Sequence, residues 1–63
     1  MKNIFIELTN SDNEKFTLNI LQIVLIEPNK KGTTLQCTIG DMILQRKAIE
    51  SYDQVKAIIA SMN

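Results

Sequence analysis

Apolar and polar residues alternate over residues 3–9, with Ile4, Ile6 and Leu8 on one side of an extended segment and Phe5 and Glu7 on the other. Residues 15–19 repeat the pattern and place Phe16 and Leu18 inward. Between them lies Asn10-Ser11-Asp12-Asn13, a run of residues whose side chains bond their own backbone, so the chain is expected to reverse there. The next segment breaks the alternation. Ile20–Ile26 reads ILQIVLI, with Gln22 its only polar member. As a regular strand it places Ile20, Gln22, Val24 and Ile26 on one face and Leu21, Ile23 and Leu25 on the other. A sheet with one wet face would not be apolar on both sides. A strand over about 21–27 therefore needs cover twice, from within the chain or from a second copy.

Pro28 lacks an amide donor and is expected to end that ladder, with Pro28–Gly32 forming a turn and Gly32 available for positive φ. Residues 33–39 alternate again, with Leu35, Cys37 and Ile39 facing the core. Thr34, Gln36 and Thr38 face the other way, toward a side that is wet or lightly covered. Gly40-Asp41 suits a two-residue loop with glycine first, which sets Ile39 opposite Met42 and starts a strand over about 42–47. Ile43 then shares a face with Gln45 and Lys47. Ser51 and Gln54 make a capping box, and Val55, Ile58, Ile59 and Met62 form one stripe at helical spacing. A helix over about 52–61 is too short to persist alone and must be held by packing. The expected fold is α+β: one domain over residues 1–63, with a small antiparallel sheet of four or five strands in the order β-β-β-β-β. One C-terminal helix packs on a face of that sheet.

Size sharpens the question of cover. At 63 residues the domain sits where disulfides, metals or oligomerisation commonly supply the stability margin. A single cysteine rules out an internal disulfide, and the absence of histidine leaves a poor basis for zinc, so oligomerisation remains. One helix covers one sheet face. A homodimer or higher oligomer is therefore expected, with Phe5, Leu21, Ile23, Leu25 and Ile43 as candidate interface residues.

Seven basic and seven acidic residues cancel, which disfavours nucleic acid as a partner. Lys30-Lys31 and Arg46-Lys47 are the only basic doublets. They are the candidate contacts for a second reading, an oligomeric phage-type protein that sequesters a nucleotide or other small anion between subunits. No apolar run approaches the roughly 20 residues of a membrane span, and the N-terminal residues lack a signal-peptide pattern, so a cytoplasmic protein without membrane insertion is expected.

Catalytic chemistry finds little support. Cys37 has no histidine to activate it and lies between apolar neighbours on a core face. Glu7, Glu27, Asp41 and Glu50 are scattered without a pocket signature, and no phosphate-cradling or calcium loop is present. No catalytic residue, metal site or cofactor is expected.

Five segments follow one order: Ile6-Glu7-Leu8-Thr9-Asn10, Lys15-Phe16-Thr17-Leu18-Asn19, Ile26-Glu27, Gly32-Thr33-Thr34-Leu35 and Glu50-Ser51-Tyr52-Asp53-Gln54-Val55. In this the chain resembles the small FlbD-like (SwrD-like) proteins of bacterial flagellar and swarming operons and related short phage proteins. The resemblance implies a sheet-plus-helix protein without enzymatic activity, acting through partners, and with the expected self-association the leading reading is an adaptor or inhibitor-like interaction module.

Overall fold

A computed structural model describes residues 4–62. Asn3, where the first strand was expected to begin, lies outside them. The elements are β1 (Phe5–Thr9), β2 (Lys15–Asn19), a 3-10 turn over Ile20–Gln22, β3 (Ile23–Asn29), β4 (Gly32–Ile39), β5 (Met42–Ala48) and α1 (Tyr52–Ala60). The class is α+β, with strands dominating and one C-terminal helix. The strands do not form one sheet. β1 and β2 make a separate antiparallel hairpin, and β3, β4 and β5 make a three-stranded antiparallel sheet with β4 central.

The division arises at Ile20–Gln22. The Asn19 side chain caps this turn by accepting from the Leu21 amide (2.9 Å). The tight turn redirects the chain, so β3 pairs with β4 and not with β2. The hairpin and the sheet share one core. Ile6 and Leu8 from β1 are buried with Leu35, Cys37, Ala48 and Val55. Phe16, Leu18, Ile58, Ile59 and Met62 close around them, so the inward faces expected for β2 and for the helix stripe are the observed ones. Leu8, Leu35 and Val55 are fully buried, each contributing about 1.5–3 kcal/mol through the surface taken from water.

The Ile20–Ile26 run departs most from expectation. Its first three residues are the 3-10 turn, and the pairing register shifts between Ile23 and Leu25, leaving Val24 as an extra residue in β3. Alternation is lost. Ile20, Ile23 and Ile26 pack against the core, three residues apart, while Leu21, Val24 and Leu25 are exposed. The second apolar face assigned to this run does not exist as such. Pro28 also fails to end the ladder, since β3 continues through the pairs Pro28–Thr33 and Asn29–Gly32. β3 is an edge strand, where a proline's missing amide takes nothing from the ladder.

The turns match the sequence more closely. Asn10 Oδ1 accepts from the amides of Asp12 (2.9 Å) and Glu14 (3.0 Å), and Thr9 pairs with Lys15. Gly40 has φ 59° and Ile39 pairs with Met42, the expected two-residue loop. Gly32 has φ 151°, and a Cβ there would sit 2.1 Å from the Ala48 carbonyl oxygen. Only glycine lets the end of β5 cross this close. Ser51 Oγ accepts from the Gln54 amide (3.1 Å) and Gln54 Oε1 accepts from the Ser51 amide (2.8 Å), completing the capping box.

Candidate interaction surfaces

Residues paired directly across antiparallel strands share a face, so the register locates every side chain of the sheet. The covered face carries Leu35 and Cys37 with their partners Ile26, Ile23, Leu44 and Arg46. α1 and the β1–β2 hairpin lie over it. The open face carries Thr34, Gln36 and Thr38 with Leu25, Glu27, Ile43, Gln45 and Lys47. It is mostly polar, and Thr34 is buried on it beneath Asn29, whose amide donates to the Thr34 hydroxyl (2.7 Å).

The apolar surplus therefore gathers at one end of the molecule, and not across a face. The tip of the β4–β5 hairpin carries Ile39, Met42 and Ile43. β3 begins beside that tip, because Ile23 pairs with Cys37, and the 3-10 turn precedes it. Thr38 Oγ1 reaches the Gln22 carbonyl (3.5 Å). Phe5 opens β1 opposite Asn19, and both line a cleft with Gln22, Cys37, Ile39 and Leu44. Leu21 is 75% exposed, Ile43 64% and Met42 62%, and Phe5, Val24, Leu25 and Ile39 are also exposed.

Of the five candidate interface residues, Phe5, Leu21, Leu25 and Ile43 are exposed at or near this end. Ile23 is not. It packs on the core, because the 3-10 turn and the extra residue in β3 rotate it inward. Val24, Ile39 and Met42 join the exposed residues: the sequence pattern sets Val24 on the face of Ile20 and Ile26 and Ile39 on the core face, whereas Val24 is the extra residue of β3 and Ile39 stands exposed at the hairpin tip opposite Met42. Their sequence signal was a stretch empty of charge: none from Phe16 to Ile26, and only Asp41 from Leu35 to Gln45.

The opposite end is polar. There Lys30, Lys31 and Lys47 line one groove of about 470 Å³ with Ser11, Asn29, Thr34, Gln45, Ala48 and Ile49. Three of the four candidate anion-binding residues thus come together. Arg46 does not join them. It projects from the covered face and lies over the Phe16 ring, 5.6 Å from its centroid.

Glu50 ties the two sheets together near the groove. Its carboxylate accepts from the Thr9 amide (2.9 Å) and the Thr9 hydroxyl (2.8 Å), while its carbonyl accepts from the Thr33 hydroxyl (2.8 Å). The Ile49 amide donates to the Thr9 carbonyl (2.8 Å), and the Lys15 ammonium donates to Thr9 Oγ1 (3.0 Å). Burial pushes the Glu50 carboxyl up. The Thr9 donors, its own amide and the Lys15 charge more than offset this and hold it below the ordinary glutamate value. Burial also raises the Cys37 thiol, with Arg46 opposing, so its thiolate is disfavoured. Asp41 sits at the hairpin tip and Glu50 at the far end, so these two carboxylates do not form an acid–base pair. Among the described residues, no cluster of three or more histidine, cysteine or acidic side chains is placed to hold a metal, and no helix is long and apolar enough to cross a membrane.

No family model, curated protein or solved structure matches the chain.

Proposed function

We infer that this protein is a non-enzymatic, self-associating interaction module of the cytosol, whose apolar hairpin end is covered by a second copy of the chain. The observation that carries this reading is the end cluster of Phe5, Leu21, Val24, Leu25, Ile39, Met42 and Ile43. Taking a large apolar residue at roughly 180 Å² fully exposed, their exposures add up to on the order of 700 Å² wrapped around this end, with Ile39 and Met42 on the covered side of the sheet and Leu25 and Ile43 on the open side. A typical monomer's largest apolar patch is about 300–600 Å², and a standard interface takes about 800 Å² from each partner. The cluster is also poor in charge, as interface centres are. A symmetric dimer uses the same patch twice, which a single end cluster satisfies. The resemblance to FlbD-like proteins agrees with a non-enzymatic protein acting through partners, and an adaptor or inhibitor is the form of that activity proposed.

Sedimentation equilibrium tests the reading. The wild-type chain is expected to be dimeric or larger at about 50 μM, a concentration that a dissociation constant near 10 μM, roughly −7 kcal/mol, would satisfy. Met42→Asp combined with Ile43→Asp should give a monomer with an unchanged far-ultraviolet spectrum, because both side chains are exposed. A wild-type chain that stays monomeric at about 100 μM would overturn the proposal.

A further inference from the structure

We propose that the groove at the polar end binds a small phosphorylated ligand carrying at least two negative charges, within a single copy of the chain. Three lysines border the groove and, among the described residues, no carboxylate lines it, although the whole chain is electrically neutral. Positive charges clustered around a concave surface focus the field and raise the local concentration of anions. Glu27, which flanks Thr34 on the side away from Lys47, and Asp53, which lines a neighbouring cleft with Lys30 and Lys31, lie outside this lining. The placement of these lysines follows from the local fold. Asn29 Oδ1 accepts from the Lys31 amide (2.7 Å) while its Nδ2 donates to Thr34 Oγ1 (2.7 Å). One side chain thereby ties the Lys30-Lys31 loop to the groove floor. Lys47 comes from β5, where it pairs with Thr34, so the third cation enters from the other side of that floor.

The remaining lining narrows the ligand class. Asn29, Gln45 and Ser11 offer neutral hydrogen-bonding groups, and Ile49, half-exposed, offers an apolar contact beside them. A volume of about 470 Å³ lies within the usual range for small-molecule sites, about 300–1,000 Å³. A nucleoside diphosphate combines the needed features: clustered charge for the lysines, hydroxyls for the amides and a flat ring for Ile49. Inorganic pyrophosphate supplies the charge alone. The site lies at the opposite end from the self-association surface and does not depend on it.

Amide chemical shifts of the ¹⁵N-labelled protein, titrated separately with ADP, pyrophosphate and AMP at low salt, provide the test. ADP should give saturable shifts confined to residues 29–34 and 45–49, with a dissociation constant below about 1 mM. AMP, with less charge, should bind more weakly, and raising NaCl to about 0.5 M should weaken every ligand. Lys31→Gln with Lys47→Gln should reduce ADP affinity about tenfold or more, and Arg46→Gln should leave it unchanged. These lysines are exposed, so the folded state is expected to persist and to be visible in the same spectra. Absence of saturation at about 5 mM ADP would overturn the proposal. So would an unaffected lysine double variant, or a single-stranded oligonucleotide that binds the same residues about tenfold more tightly than ADP.

Discussion

Glu50→Ala should be among the most damaging changes to a side chain that water still reaches. The substitution removes two hydrogen bonds to Thr9, at 2.9 and 2.8 Å, both made by a charged acceptor. It also strands the amide of a residue that is only 3% exposed. Hydrogen bonds to charged groups are worth about 1.5–3 kcal/mol, and partial solvation of Glu50 favours the lower part of that range. A loss of about 2 kcal/mol follows. A domain of this size holds roughly 3–9 kcal/mol in all, so Tm should fall by on the order of 8–16 °C. Thermal unfolding by circular dichroism at one fixed protein concentration measures the change without interference from self-association.

The pH dependence gives an independent check. The folded carboxyl titrates below its unfolded value, so its contribution is present above the unfolded pKa, about 4.3, and is lost as pH falls through the lower folded value. Wild-type stability should therefore decline as pH drops below about 4.3, and that component should be missing in Glu50→Gln. A Glu50→Ala protein within about 0.5 kcal/mol of wild type would refute the clamp. An acid profile unaltered in Glu50→Gln would refute the electrostatic part.

Gly32→Ala should cost about 3 kcal/mol or more, seen as poor folding or a large drop in urea midpoint, because the new methyl meets the Ala48 carbonyl oxygen 2.1 Å away in a region of φ that side chains avoid. Ser51→Ala should cost about 1 kcal/mol by the same measurement through loss of the bond to the Gln54 amide, while Ser51→Gly should cost only a few tenths.

Legibility in the sequence tracked how local each cause was. The Asn10 turn, the Gly40-Asp41 loop, the capping box and the Val55–Met62 stripe depend on neighbours a few residues apart, and all were readable. The partition into two sheets was not. It turns on Asn19 closing a 3-10 turn within an apolar run, where a continuous strand satisfies the same composition. Regular alternation would turn Ile23 outward, whereas the 3-10 turn and the extra residue in β3 turn it inward. The Glu50–Thr9 clamp was equally invisible, since its partners are 41 residues apart and joined only by the fold. The candidate surfaces fared between these extremes. Lys30, Lys31 and Lys47 are identifiable as members of doublets, and alternation along a strand over 42–47 already sets Lys47 and Arg46 on opposite faces, but only the β3–β4–β5 pairing brings Lys47 to the Lys30-Lys31 loop.

That separation bears on how the two proposed surfaces relate. A ligand held between subunits requires cations and the apolar contact to share one interface. Here Met42 and Lys47 lie five residues apart on β5, about 17 Å along the strand, with the apolar cluster around one and the lysine groove around the other. A twofold dimer joined at the hairpin tips consequently carries its grooves on the two outer ends. Charge repulsion among the lysines then does not oppose assembly, and the charge-poor tips are left to drive it. Net charge is silent on this arrangement: acidic and basic residues balance in number, and position along the strands would decide which end is open to anions and which to a second copy.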